Sequence, residues 1–157
     1  MEMQRVSYRG GQATLKLPKS WVAEYEETGG AAFHAPDGGI LRLNILTFES
    51  PHPVTRVDAI NLLASSGRNE GREILGLKNG SALVRYREGF IEEDGEELVL
   101  NFWEVASTAD PTFLRLAVFS YAVPKAKAGD EQALWTVQML EEEILSCEFA
   151  PDLVAGE

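Results

Sequence analysis

The chain has 157 residues, 45% hydrophobic and 25% charged, an ordinary composition for one globular domain with a full core. Its formal charge of −11 argues against a nucleic-acid binder, because phosphate contacts need Lys and Arg. A single cysteine, Cys147, excludes an intramolecular disulfide framework; no apolar run reaches the ~20 residues of a membrane helix, and the first eleven residues lack a signal-peptide core, so a cytoplasmic protein is expected.

Residues 1–11 read as a short flexible lead, 12–149 as a single domain and 150–157 as a C-terminal tail. Ala13 to Leu17 alternates as a strand does and is stopped by Pro18. Trp21 to Tyr25 alternates too. Gly29-Gly30 breaks the chain, and Ala31 to Ala35 resumes it around Phe33. Pro36-Asp37-Gly38-Gly39 is a turn signal, followed by the aliphatic run Ile40 to Phe48. Such tight spacing predicts an antiparallel meander.

After the rigid break Ser50-Pro51-His52-Pro53, Thr55 can cap a helix to about Ser66, with Asp58 completing a capping box. Its expected stripe is Val57, Ile60, Leu63 and Ala64, and Gly67 is the expected stop. Glu73 to Leu77 reads as a short strand and Asn79-Gly80 as a hairpin turn. Ala82 to Glu92 is a long strand that turns through Glu93-Asp94-Gly95-Glu96. Glu97 to Ala106 returns, and Phe113 to Val123 follows the turn at Asp110-Pro111. Asp130 opens a second helix to about Ser146, striped by Ala133, Val137, Leu140, Ile144 and Cys147. Glu141 to Glu143 oppose the macrodipole near its end, so they serve something else or are merely tolerated. The order of elements predicts an α+β fold, a mostly antiparallel β-sheet packed between helices.

The last two long strands are apolar on both faces: Leu98, Leu100 and Phe102 against Val99, Trp103 and Val105, then Leu114, Leu116 and Val118 against Phe113, Ala117, Phe119 and Tyr121. Both faces must therefore be dry or occupied. Either the helices seal them, or one face leaves an apolar groove for a partner. The aromatics to inspect are Tyr86, Phe102, Trp103, Phe119, Tyr121 and Trp135. Trp135 and Met139 stand off the main stripe of the second helix.

Charge is uneven along the chain. Residues 88–104 hold seven acids and no base, and residues 128–157 hold eight acids and no base, which leaves ten acids against fourteen bases elsewhere. This is either a solvated surface or one that steers a basic partner, with the turn acids Glu92, Glu93 and Asp94 as candidates. Catalytic chemistry has little to build on. The two histidines, His34 and His52, are scattered, Cys147 lies in an apolar stripe, and no nucleophile elbow, phosphate loop or dinucleotide fingerprint occurs. No cofactor or metal is expected from so few ligands.

Leu15-Lys-Leu-Pro-Lys-Ser-Trp21 resembles the "LPxxW" opening of PsbP-like proteins. A turn at Gly80, a long hairpin tipped by Asp94-Gly95, an "R-x-A-x-F-S-Y" strand from Arg115 to Tyr121 and an "I-x-S-x-x-F" ending from Ile144 to Phe149 add to it. As a set over residues 12–149 these features resemble the Mog/PsbP-like superfamily, which includes bacterial DcrB-like proteins. The resemblance implies an α/β/α sandwich and a protein-binding, chaperone-like or assembly role rather than catalysis. One branch comprises cytosolic chaperones of type VI secretion effectors, which cradle apolar segments against the sheet. The competing reading is a small-ligand binder or enzyme with a pocket around Tyr86, Trp103 and Tyr121. A homodimer burying an apolar patch is a third.

Overall fold

The computed structural model describes residues 2–8, 12–27 and 29–149. Seven strands form one large sheet: β3 (Val22–Tyr25), β4 (Ala31–His34), β5 (Ile40–Glu49), β6 (Leu75–Gly76), β7 (Ala82–Ile91), β8 (Glu97–Ser107) and β9 (Phe113–Pro124). Their order across the sheet is β3-β4-β5-β9-β8-β7-β6, and every neighbouring pair is antiparallel. A small sheet places β2 (Ala13–Pro18) between β1 (Met3–Tyr8) and β10 (Glu148–Phe149). The helices are α1 (Arg56–Ala64) and α2 (Glu131–Leu145). The α+β sandwich expected from the sequence is the fold observed.

Each helix takes one face of the large sheet. On one face, Leu41, Leu43, Leu83, Trp103, Val105, Ala117, Phe119 and Tyr121 pack with Leu140 and Ile144 of α2 and with Val6, Tyr8, Leu15 and Leu17 of the small sheet. On the other, Ala82, Val84 and Ala106 pack with Ala59 and Leu63 of α1. Fully burying an aliphatic side chain contributes roughly 1.5–3 kcal/mol, so the larger cluster dominates stability.

The first strand corrects the expected flexible lead. Val6 and Tyr8 alternate inward while their neighbours face solvent, so residues 3–8 have an apolar row to bury. The Tyr8 hydroxyl donates to the Gly29 carbonyl. Gly29 is buried with φ of 108°, a conformation open to glycine at little cost. The segment 150–157, read as a tail, lies outside the described residues.

Thr55 and Asp58 form the expected capping box: Asp58 N donates to Thr55 Oγ1, and Asp58 Oδ2 accepts from Thr55 N at 2.8 Å. The stripe of α1, however, is rotated from the expected one. Ala59 and Leu63 are buried, whereas Val57 is 64% exposed. The cause lies past the helix end, where Asn69 Nδ2 donates to the Leu63 carbonyl at 3.0 Å and to Glu104 Oε1 at 3.2 Å. This tie holds the last turn over β8. The helix also stops earlier than Gly67, at a C-cap on Ser65.

The expected α2 stripe holds, with Val137 half-buried and Thr136 and Met139 added to the buried face. Two of its three late glutamates have partners. Glu141 accepts from Trp103 Nε1 at 3.2 Å and pairs with Arg85 at 2.8 Å. Glu143 accepts from the Lys16 backbone N–H at 3.2 Å. Their opposition to the helix dipole is thus offset by bonds that pin α2 to both sheets.

Candidate functional site

The two faces of the large sheet are unequally covered. α2 spans about 22 Å and is supplemented by the three-stranded sheet. α1, with nine residues, spans only about 13–14 Å and packs on β7 and β8, while the four long strands, with 10 to 12 residues, run about 34–41 Å. Leu46, Phe48 and Phe90 on this α1 face are 47%, 43% and 52% exposed. Leu98, Leu100, Phe102 and Val118 between them are only partly buried. An open depression of about 400 Å³ lies over Arg42, Asn44, Val118 and Ser120 on the same face.

Where α1 ends, a polar cluster sits on this face. Glu104 is 1% exposed and accepts from the Tyr86 hydroxyl at 2.7 Å, from Asn69 Nδ2 at 3.2 Å and from Arg68 at 3.3 Å. Burying an ionised carboxylate is tolerable only with such partners. Arg72 lies 3.7 Å over the Tyr86 ring and pairs with Glu88 at 3.2 Å. Tyr86 in turn stacks on Phe102, centroids 4.8 Å apart. Burial, and then the bond to Glu104, pushes the Tyr86 hydroxyl up to about 12. The cluster was not singled out in the sequence. Its signal was there: Glu104 occupies an inward position between apolar Phe102 and Ala106.

The candidate aromatics do not come together. Tyr86 and Phe102 lie on the α1 face. Trp103, Phe119 and Tyr121 lie on the α2 face and are 2%, 0% and 0% exposed. Met139 is likewise core, while Trp135 is 45% exposed on the outer side of α2. A single pocket around Tyr86, Trp103 and Tyr121 is therefore corrected, because the sheet separates the first from the other two. The strand period of two makes that separation unavoidable: cross-strand partners Tyr86 and Phe102 share a face, and Trp103 is next in sequence. Glu92, Glu93 and Asp94 are exposed at the tip of the β7–β8 hairpin, where Gly95 turns with φ of 88° and Asp94 accepts from the Glu96 N–H.

No family model matches the chain, and no relative is found among the curated proteins. Solved structures do match. The Saccharomyces cerevisiae Ran-binding protein Mog1p superposes with a TM-score of 0.52 at 13% identity, over 96% of this chain and 97% of that one. The fold is that of the Mog1/PsbP-like proteins. LpqN, involved in cell envelope biogenesis of Mycobacterium tuberculosis, matches with a TM-score of 0.57 at 10% identity, over 96% and 91% of the two chains. A Bacteroides thetaiotaomicron protein matches with 0.66 at 20% identity over 95% of this chain, which spans about half that protein, 49%.

Within this Mog1/PsbP-like fold, no group of three or more His, Cys, Asp or Glu side chains could hold a metal among the described residues. Cys147 is buried, and its thiol is pushed up to about 12 by burial. No described helix is long and apolar enough to cross a membrane.

Proposed function

We propose that the chain is a non-catalytic protein-binding module that holds an apolar segment of another protein against the α1 face of its large sheet, in a chaperone-like or assembly role. The observation that carries this reading is the mismatch between a helix of about 13–14 Å and strands of about 34–41 Å. The face left uncovered carries Leu46 and Phe48 on β5, to the side of α1, and Phe90 on β7 beyond its reach, all in the open. Exposed apolar surface on one sheet face marks interaction sites. The Ran-binding name of one structural neighbour supports a protein partner in general. The converging polar groups, Glu104, Tyr86 and Asn69, are bonded to one another rather than poised around a cavity, which supports a binding role over catalysis. The carboxylates of the hairpin tip adjoin Phe90 and Ile91, so a partner with a basic flank is favoured.

The test places a photo-crosslinking residue at Phe48 or Phe90 in the native host, with Lys19 as a distant control. The expected result is a crosslink from the two sheet positions alone, to an apolar segment of one protein. Equal labelling from Lys19, or capture only of a second copy of this chain, overturns the reading; the latter makes the face a homodimer interface.

A further inference from the structure

On the opposite side of the sheet, α2 leaves the outer strands partly bare. Between α2 and β7 lies a groove of about 260 Å³ lined by Arg87, Asn101, Val123, Ala133, Leu134, Val137, Gln138 and Glu141 among others. Its polar and apolar linings are segregated, and the strand register shows how. Arg87, Asn101 and Tyr121 form one cross-strand row, and Gly89, Val99 and Val123 form the next row toward the hairpin tip. Glu141 bonds to the Arg85–Trp103 row, next to the first row on the side away from the tip. Ala128, Ala133, Val137 and Gln138 complete the lining.

The charges do not balance. Both oxygens of Glu141 are engaged, one by Trp103 and one by Arg85. Arg87 makes no ion pair among the described residues. Two guanidiniums therefore face one carboxylate, an excess of one positive charge at the polar end. Toward the hairpin tip, a second open depression of about 500 Å³ includes Gly89 and Val99, the row-mates of Val123, and reaches Phe90 and Leu98 at the sheet edge. The charged groups there, Lys125 and Glu97, already pair at 3.7 Å. Gly89 carries no side chain, and a Cβ there would meet nothing within 4 Å, so that row is open space. From Arg87 to Ile91 the strand rises about 14 Å.

The geometry points to a binding site for a medium-chain aliphatic monocarboxylate, with its headgroup on Arg87 and Asn101 and its tail along Val123 and Val99. A guanidinium binds carboxylate in a charge-assisted, often bidentate way. The tail wall is aliphatic and offers few polar atoms, which favours a hydrocarbon chain over a peptide, whose backbone amides would each need a partner.

The test titrates the full chain with decanoate, decanol and decylamine below their micellar ranges, read by calorimetry and by NMR shifts. Decanoate is expected to bind saturably and to shift the Asn101 side-chain amide and the Trp103 indole N–H. Arg87→Gln should weaken decanoate at least ten-fold and leave decanol unchanged. Gly89→Leu, whose Cβ meets nothing within 4 Å and whose side chain would fill the tail row, should weaken both. Equal binding of decylamine, shifts centred on Phe48 and Phe102, or an unchanged affinity in Arg87→Gln overturns the site. Arg87, Asn101, Val99 and Val123 lie on the other side of the sheet from Phe48, so failure here leaves the crosslink at Phe48 as an independent test of the docking reading, and the converse holds.

Discussion

The Glu104 cluster allows a quantitative test of how the short helix is held. The perturbations are Tyr86→Phe, Glu104→Gln and the double variant. Tyr86 donates at 2.7 Å to a carboxylate that is 1% exposed. A hydrogen bond to a charged group contributes about 1.5–3 kcal/mol, and a buried acceptor puts this one in the upper half of that range. Glu104→Gln removes the charge that Asn69 and Arg68 also face. Removing one partner of a buried pair costs about 3–5 kcal/mol when the other charge is stranded. Here Arg68 is 58% exposed and resolvates, so the loss should fall at or below the low end, near 2–3 kcal/mol. Residues in one network couple by about 0.5–3 kcal/mol, and the double variant should be less destabilised than the sum by about 1–2 kcal/mol. Urea unfolding at neutral pH, with fluorescence and circular dichroism as coincident probes, reads all three. Additivity within about 0.5 kcal/mol, or a Tyr86→Phe loss below that figure, would refute the bond and its role in holding α1.

Three further outcomes follow from the packing. Gly39→Ala should destabilise by roughly 1–3 kcal/mol, because its Cβ would collide with the Tyr121 hydroxyl, and adding Tyr121→Phe should recover part of the loss in the same assay. Leu140→Ala, at a fully buried position on α2, should cost about 2–5 kcal/mol, whereas Val57→Ser on the outer side of α1 should stay within about 0.5 kcal/mol. Burial pushes the Cys147 thiol from 9.0, and the Tyr121 hydroxyl from 10.0, up to about 12. The folded chain then holds protons that the unfolded chain releases, so their stabilisation is full below pH 9 and is lost as pH rises through 12. Cys147→Ala should flatten the first part of that decline in pH-dependent melting; an unchanged slope would exclude the thiol as a cause.

Much of the fold was legible because period and turn chemistry agreed. Asn79-Gly80 and Asp94-Gly95 marked two hairpins, and both glycines adopt positive φ. The double-faced strands correctly implied cover on both sides. The first strand escaped because a six-residue edge segment with two apolar positions carries too little periodicity to stand out from a polar lead. The α1 stripe is ambiguous in sequence because helical spacing alone fits Val57-Ile60-Leu63 as well as Ala59-Leu63, and Asn69, outside the helix, ties down the observed one. The site was less legible. Asn101, Glu104 and Arg115 each replace an apolar residue at an inward strand position, and that break in pattern was the available signal. For Glu104 and Arg115, what the break meant depended on Asn69, at the end of a short 3-10 turn, and Asp110, in a loop, which meet their partners only in three dimensions.

The blocks of acid along the chain take on a different meaning once folded. Glu88, Glu97, Glu104, Glu141 and Glu148 belong to the two acidic segments, yet they pair with Arg72, Lys125, Arg68, Arg85 and Arg5 from the mildly basic remainder. Apart from the pair of buried Glu104 with Arg68, these are exposed pairs that contribute only about 0–1 kcal/mol each, so stability is not their main effect. They cancel charge across part of the sandwich, and among the charges that make no ion pair in the described residues two places adjoin exposed apolar surface: the hairpin tip, with Glu92, Glu93, Asp94 and Glu96, and Arg87 in the groove beside α2. With screening over about 8 Å at physiological salt, a partner senses these two places separately rather than a uniform charge of −11. The negative tip ends the open apolar face, and the positive groove lies on the other side. The fold thereby gives a chain of one overall sign two local fields of opposite sign, each beside an exposed apolar surface.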